Sequence, residues 1–423
     1  MNIEIKSGRI VDPVNGKDEI QSLYVSEGKI VAIGKAPEGF LADQVVDASG
    51  CVVSPGFIDL CAYLREPGYE YKGTVASETF AAAKGGFTAV CCPPQTLPVN
   101  DSEAVTHLIL DLARRAGFSK VYPIGALTKG LKGQQLSEVY SLKRAGCVGV
   151  GNSGRPVADL NVMKRCCEYA KTHDMSVFVR PEDVSLASDG CVHEGAVATR
   201  LGLPGIPALA ETVAVSQLIL LAEETGAHLH MSQLTAAKSV ELVADAKKRG
   251  IRITADVSAQ HLLLTDVSVS GFDSRFHCLP PFRTEADRLA LIEGVNSGVI
   301  DAICSQHQPH EAAAKQAPFA ESEPGISSIE TVLPLLLGLE RAATLSMDVL
   351  IRSLSVGAAN VLGVQGGSLA EGQNADICIF DPNKQWVVND ETIKSSGKST
   401  PWKGEELQGL VKATLVDGCI VYA

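Results

Sequence analysis

The sequence predicts an α/β protein: a (β/α)8 barrel of the TIM type joined to a small β-sandwich built from the N- and C-terminal segments. The chain has 423 residues, enough for a barrel and a smaller companion unit. Its middle alternates apolar, strand-like runs with amphipathic helical runs, which is the pattern of repeated βα units. Both ends instead carry short alternating strands separated by turn residues.

The N-terminal and C-terminal segments share one sequence pattern, in which short alternating strands are separated by turn residues. The first segment contains "NIEIKSGRIVDP" and "QVVDASGCVVSP", and the last contains "ADICIFDPNKQWVV" and "KATLVDGCIVYA". Alternation of apolar and polar residues between turns favours half-buried strands. We therefore expect residues 1–54 and 356–423 to form the sandwich and residues 55–355 to form the barrel.

The middle of the chain supplies eight candidate barrel strands, each followed by a helical or loop segment. Several helical runs, such as "SEAVTHLILDLARRAG", end in Gly, and this one opens at Ser102, a capping residue. In a barrel of this kind, catalytic groups lie at the C-terminal ends of the strands. The candidate strands are 56–63, 88–92, 120–126, 147–151, 175–180, 227–232, 251–257 and 300–306.

Composition excludes several classes of function. Hydrophobic residues make up 45% and charged residues 20%, which is typical of a packed globular protein, and the formal net charge of -12 disfavours nucleic acid as a partner. Apolar runs such as "SQLILLA" are too short to cross a bilayer, and the N-terminus lacks a secretion signal. The 12 cysteines are scattered, as expected of buried thiols in a reducing compartment. We expect a soluble, cytoplasmic protein with no membrane partner.

Motifs near the strand ends show a resemblance to a known family. In order along the chain they are "GFID", "REPG", "PPFRTEADR", "IDAICSQHQPH", "PFAESEPGISSIET" and "GSLAEGQNADICIFDP". With this set, the chain resembles dihydroorotases of the amidohydrolase superfamily over nearly its whole length. The resemblance implies a zinc site at the barrel mouth and hydrolysis of a cyclic amide.

The positions that the resemblance assigns to metal ligands and to the general base carry other residue types here. Amide oxygens are weak zinc ligands, tyrosine would have to lose a proton of high pKa, and an arginine places a fixed positive charge where the cation would lie. Glutamine also cannot accept the proton that a catalytic carboxylate would take. The sequence therefore predicts no metal, no cofactor and no catalytic residue at the six degenerate positions, which are Cys61, Tyr63, Asn152, Arg180, Gln233 and Gln306.

Three other positions resemble the family's substrate-holding residues. Arg65 and His310 are retained, and Gln95 stands where the family has asparagine. Arg65 has an alternative role as a structural ion-pair partner, for example of Glu66, and His310 as a hydrogen-bonded loop residue. Arg180 is expected to bind a neighbouring acid, Glu182 or Asp183.

These observations lead to three hypotheses of function. The first, implied by the resemblance alone, is a non-enzymatic, structural subunit that binds the catalytic chain of aspartate carbamoyltransferase in pyrimidine biosynthesis, as part of a homo- and hetero-oligomer. The second is an active dihydroorotase or related cyclic amidase with atypical ligands. The third is a non-catalytic sensor that binds a pyrimidine precursor through Arg65 and His310.

Overall fold

A computed structural model describes residues 1–423, which form eighteen strands and twelve α-helices. The strands are β1 (Asn2–Asp12), β2 (Lys17–Ser26), β3 (Lys29–Ile33), β4 (Gln44–Asp47), β5 (Val52–Pro55), β6 (Phe57–Asp59), β7 (Phe87–Cys92), β8 (Lys120–Ala126), β9 (Gly149–Gly151), β10 (Ser176–Val179), β11 (Val192–His193), β12 (Gly205–Ile206), β13 (Leu229–Met231), β14 (Ile253–Ser258), β15 (Ala302–Cys304), β16 (Ile377–Val387), β17 (Glu406–Val416) and β18 (Cys419–Tyr422). The helices are α1 (Val75–Lys84), α2 (Glu103–Ala116), α3 (Val139–Ala145), α4 (Leu160–Thr172), α5 (Val184–Ala187), α6 (Ala196–Leu201), α7 (Ala208–Thr225), α8 (Ala237–Lys248), α9 (Glu285–Asn296), α10 (Val332–Arg341), α11 (Met347–Leu354) and α12 (Val356–Leu362).

One eight-stranded sheet draws its strands from both ends of the chain. Its order is β18-β17-β16-β5-β1-β2-β3, with β4 paired to β1. The two ends meet where β5 and β16 run antiparallel, with Val53 opposite Ile379. Apolar residues of both ends, including Ile5, Leu23 and Leu415, share one buried cluster of 15 residues. Neither end segment therefore completes this core alone.

The second large sheet is the barrel. Its eight strands are neighbours in the order β6-β7-β8-β9-β10-β13-β14-β15, and the pairs are parallel. A parallel bridge between Ala62 and His307 brings the first and last strands together just beyond their ends. This confirms the predicted fold class, and it aligns the C-terminal ends of all eight strands at one mouth.

The candidate strands coincide with the observed ones but are longer than them at several places. Residues 56–63, for example, contain β6 over only Phe57–Asp59, because the chain leaves the barrel wall to form the mouth loop. The N-cap position of α2 is Ser102 as expected, although its side chain makes no capping hydrogen bond. Strand ends are therefore the least accurate part of the sequence-based assignment.

The barrel interior is packed rather than hollow. Ile58, Cys61, Ile124 and Phe178 form one buried cluster with residues of α12, which closes the end of the barrel opposite the mouth. A larger cluster of 60 buried residues packs the helices against the outside of the strands. None of the helices combines the length and apolar character that crossing a lipid bilayer requires.

Candidate active site at the barrel mouth

A small cavity lies at the mouth, among residues that follow the ends of the barrel strands. Its volume is ≈ 40 Å³, which holds roughly three water molecules. Four of the six degenerate positions named from the sequence line it: Cys61 and Tyr63 after β6, Arg180 after β10 and Gln233 after β13. The complete lining is Leu60, Cys61, Tyr63, Pro93, Ile124, Gly151, Ser153, Gly154, Phe178, Arg180, Ser232 and Gln233.

Arg180 is the only charged residue in this lining. Its Nη2 donates to the carbonyl oxygen of Gly154 at 3.2 Å and to Oε1 of Glu182 at 3.3 Å, and its Nη1 donates to the carbonyl oxygen of Leu279 at 3.4 Å. Its Nε–H is buried and has no acceptor. Of the two acids expected as partners, Glu182 pairs with Arg180, whereas Asp183 instead caps α5. The mouth therefore carries a positive charge that is only partly compensated.

Gly154 makes the position of this guanidinium possible. A Cβ atom at residue 154 would lie 2.7 Å from Nη1 of Arg180, and the φ of 62° favours glycine. The backbone of the turn after β9 thus lies directly against the arginine head group. A side chain at this position would push the guanidinium away from the cavity.

Several residues at the mouth have strained backbone conformations. Four of the twelve non-glycine residues with positive φ are Arg65 (68°), Ser153 (40°), Gln233 (60°) and Gln306 (49°). Such conformations are costly and cluster at functional sites, where the surrounding structure holds them. Their location favours a binding or catalytic role for the mouth over a purely structural one.

The two side chains after β6 are held in their neutral forms. Burial raises the pKa of the Cys61 thiol well above its usual value, and the nearby acids Asp59 and Asp256 raise it further. Burial likewise raises the pKa of Tyr63, although Arg180 partly opposes this effect. Neither side chain therefore supplies an anion at neutral pH.

The residues at the mouth do not fit a zinc ion. Zinc sites are built from thiolates, neutral imidazoles and carboxylates on preset vectors, but the mouth offers a protonated thiol, a neutral phenol, amides and a guanidinium. Nowhere in the chain do three or more His, Cys, Asp or Glu side chains form a group that could hold a metal ion. No chemical step is therefore assigned to a metal here.

The remaining two degenerate positions lie beside the cavity rather than in its wall. Gln306 is buried, and its Nε2 donates to the carbonyl oxygen of Leu279 at 2.9 Å and to Oε1 of Gln233 at 3.4 Å. Asn152 is also buried and exchanges hydrogen bonds with the hydroxyl group of Thr128 at 3.0–3.1 Å. Both amides hold neighbouring loops together.

Arg65 and His310 contact each other outside the cavity. The Nη2 of Arg65 lies 3.1 Å from Nε2 of His310, and its Nε donates to the carbonyl oxygen of Pro309 at 2.9 Å. Burial, together with the charges of Arg65 and Lys72, lowers the pKa of His310 to about 2, so the imidazole is neutral. Arg65 makes no ion pair with Glu66, whose carboxylate instead accepts the N–H of Val75 at 2.9 Å.

Gln95, the third candidate for ligand contact, is half-buried in the loop after β7 and does not line the cavity. The retained substrate-holding positions and the degenerate metal positions thus form two neighbouring groups. The cavity belongs to the second group.

Two carboxylates near the mouth differ in how fully they are engaged. Asp256 at the end of β14 is fully occupied: Oδ1 accepts the N–H of Gln233 at 2.6 Å and Oδ2 lies 2.9 Å from Nε2 of His230. Glu182 makes a single side-chain hydrogen bond, with Arg180. Glu182 therefore has acceptor sites that no side chain other than Arg180 occupies.

The sequence reasoning did not identify Ser153, Ser232, Phe178 or the pairing role of Gly154. Ser153, Gly154 and Ser232 follow a barrel strand directly or within a few residues, and Phe178 lies near the end of β10, which was the available signal. Serine and glycine are so common in loops that their position alone did not separate them from ordinary turn residues.

Comparison with known proteins places the chain in a family. A family model described as "Dihydro-orotase-like" matches residues 50–239. A "Dihydroorotase-like protein" of Pseudomonas aeruginosa (strain PAO1) is 49% identical over 422 residues, covering 100% of both chains. A "Dihydroorotase" of Anaeromyxobacter sp. (strain K) is 42% identical over 420 residues, covering 99% of this chain and 97% of that protein.

Solved structures support the fold. The L-hydantoinase (dihydropyrimidinase) from Arthrobacter aurescens superposes with a TM-score of 0.88 at 21% identity, covering 99% of this chain and 95% of that chain. The dihydropyrimidinase from Brevibacillus agri superposes with a TM-score of 0.84 at 21% identity and the same coverage. At this level of identity the likeness concerns the fold alone.

These relatives correct one expectation drawn from the sequence. The expectation that the chain is not an enzyme is contradicted, because full-length relatives are named dihydroorotase and the structural neighbours are hydantoinases, which are hydrolytic enzymes. The replaced side chains argue against zinc at the mouth, but acid–base and electrostatic catalysis do not require a metal. Over its full length, this chain belongs to the dihydroorotase-like family.

Proposed function

We propose that this chain is a cyclic amidase of the dihydroorotase-like family that acts on a small cyclic amide at the barrel mouth without the family's zinc site. The observation that carries the proposal is the buried, incompletely paired guanidinium of Arg180 in the cavity wall. A fixed positive charge in a water-poor site stabilises negative charge that develops on a carbonyl oxygen. The relatives named dihydroorotase support the substrate class.

The geometry suggests how the groups would divide the chemistry. The cavity is small, ≈ 40 Å³, so the reacting carbonyl group would enter it and the rest of the ring would extend toward its opening. Arg180 would face the carbonyl oxygen as a water molecule attacks the carbon. Glu182, paired with Arg180 at 3.3 Å, would take the proton of that water and return it to the leaving nitrogen.

The experiment is a dihydroorotate ring-opening assay on purified protein, run with and without a metal chelator. We expect turnover that the chelator does not abolish and that falls about 10²–10³-fold in Arg180→Gln, the usual effect of removing one oxyanion donor. Arg155→Gln is the matched control, because Arg155 is an exposed arginine on the neighbouring mouth loop, after β9, and does not line the cavity. Absence of ring opening in the wild-type protein would refute the proposal.

A second candidate function is association with the catalytic chain of aspartate carbamoyltransferase. One observation favours it: the outer face of α7 exposes Leu209 and Leu220. The two leucines lie on the same side of the helix about three turns apart, so a partner that binds along α7 would cover both.

Co-expression followed by size-exclusion chromatography tests this association. We expect the two chains to elute together, and Leu209→Ser with Leu220→Ser to weaken the complex. Leu41→Ser is the control, because Leu41 is equally apolar and 81% exposed but lies in the end-segment sheet region. Independent elution of the wild-type chains would exclude the association.

A further inference from the structure

The cavity at the mouth is surrounded by hydrogen-bond donors and contains no carboxylate. Arg180, whose Nε–H has no acceptor within the protein, lines this space together with three residues that carry hydroxyl groups, Tyr63, Ser153 and Ser232. None of these three hydroxyl groups is hydrogen-bonded within the protein. A buried donor without an acceptor is destabilising, so the arrangement favours a ligand that supplies acceptors.

The nearest acids do not neutralise this space. Glu182 meets the guanidinium through Nη2, on the side that also contacts Gly154, and leaves Nε without a partner. Asp256 is saturated by Gln233 and His230. The positive charge of Arg180 is thus available to an anion in the cavity.

The size of the cavity restricts the anion. A volume of ≈ 40 Å³ holds roughly three water molecules, so the ligand group inside the cavity is small. The ring of Phe178 and the side chains of Leu60 and Ile124 form apolar parts of the wall. A flat carboxylate fits between such surfaces more readily than a tetrahedral phosphate, and guanidinium groups bind carboxylates with matched geometry.

We propose that the barrel mouth is a binding site for a small planar oxyanion, namely a carboxylate or bicarbonate, held by Arg180 with hydroxyl donors from Tyr63, Ser153 and Ser232. The anion occupies the region that the family resemblance assigns to metal ligands. The mouth of this chain therefore binds anions where the family resemblance implies a bound cation. This inference goes beyond the proposed function, because a bound anion and the carbonyl group of a substrate would compete for Arg180 in the same cavity. The anion-site proposal rests on the geometry of the mouth. Anion binding without turnover would therefore support the anion site and refute only the amidase proposal.

Titration calorimetry with sodium formate and with sodium bicarbonate tests the proposal, at constant ionic strength maintained with chloride. We expect saturable binding of both planar anions and at least tenfold weaker binding of inorganic phosphate. Arg180→Gln should weaken formate binding at least tenfold, whereas Arg155→Gln, with the same loss of charge outside the cavity, should leave it unchanged. The ratio of the two dissociation constants distinguishes the sources: tighter binding of formate indicates a carboxylate site, and tighter binding of bicarbonate indicates a bicarbonate site.

A second variant covers the case in which Arg180→Gln does not fold. Ser232→Ala retains the charge and removes one donor, and we expect it to weaken formate binding several-fold with little change in melting temperature. The proposal is overturned if wild-type protein shows no saturable formate binding. It is equally overturned if phosphate binds as tightly as formate, or if Arg155→Gln weakens binding as much as Arg180→Gln.

Discussion

The buried ion pair between Lys84 and Glu330 gives a sharp test of what holds the barrel to the C-terminal segment. The Lys84 ammonium, at the end of α1, lies 2.9 Å from Oε1 of Glu330, and the side chains are only 8% and 2% exposed. The same carboxylate accepts the backbone N–H groups of Lys394 and Ser395 at 2.8–3.0 Å. One side chain thus joins the barrel to the segment that follows β16.

The change Glu330→Ala should destabilise the protein by about 3–5 kcal/mol, the usual effect of removing one partner of a buried pair. Most of this loss comes from leaving the Lys84 ammonium buried without its counter-charge, over the ring of Trp386 at 4.9 Å. Two backbone N–H groups also lose their acceptor.

Urea unfolding measures the free-energy change, and hydrogen exchange measures the amides of Lys394 and Ser395 directly. The double variant Lys84→Met with Glu330→Gln removes both charges and keeps an amide oxygen for the two N–H groups, so it should recover most of the lost stability. A Glu330→Ala variant within about 0.5 kcal/mol of wild type would refute the reasoning, as would a double variant less stable than Glu330→Ala.

Three further predictions concern pH, the mouth turn and the barrel interior. Burial lowers the pKa of His261 and His277 to about 4 in the folded protein, so the unfolded chain binds their protons first as the pH falls below 6.5. The free energy of unfolding should therefore decrease by about 1.4 kcal/mol per pH unit for each histidine between pH 6.5 and 4. A melting temperature that is constant over this range would contradict the prediction. The change Gly154→Ala should displace the Arg180 guanidinium and weaken formate binding in calorimetry, whereas unaltered binding would show that the 2.7 Å approach is unimportant. Thr254→Val keeps the side-chain shape but removes the hydroxyl group that lies 2.9 Å from Nδ1 of His230 and 3.0 Å from Nε2 of His228. The free energy of unfolding, measured in urea, should fall by about 1–3 kcal/mol. A change near zero would mean that this bridge contributes nothing to stability.

The barrel could be predicted from the sequence because its signal is repeated. Eight apolar runs alternate with helical runs, and an error in one unit does not change the architecture. The order of the strands in the sheet follows the order in the chain except for the short pair β11 and β12, which forms a separate two-stranded sheet. That pair lies in a loop insertion whose strands have two residues each, too short for any periodic pattern.

The site could be predicted only in part. The family resemblance, together with the rule that catalytic groups lie at strand ends, placed Cys61, Tyr63, Arg180 and Gln233 in one region, and the structure brings them around one cavity. It did not show that Arg65 and His310 face each other outside that cavity. Side chains on long loops take their directions from tertiary contacts, and strand spacing contains no information about those contacts.

The pairing of β5 with β16 also has a consequence for synthesis of the chain. Val53 in β5 pairs with Ile379 in β16, 326 residues later in the chain. The N-terminal strands therefore emerge from the ribosome long before β16, the strand that pairs with β5. At 5–20 residues per second this interval is roughly 15–65 s. During that time the edge of β5 stays open to unrelated strands, and a nascent chain of this kind depends on chaperones, or on its own provisional pairings, to reach the native sheet.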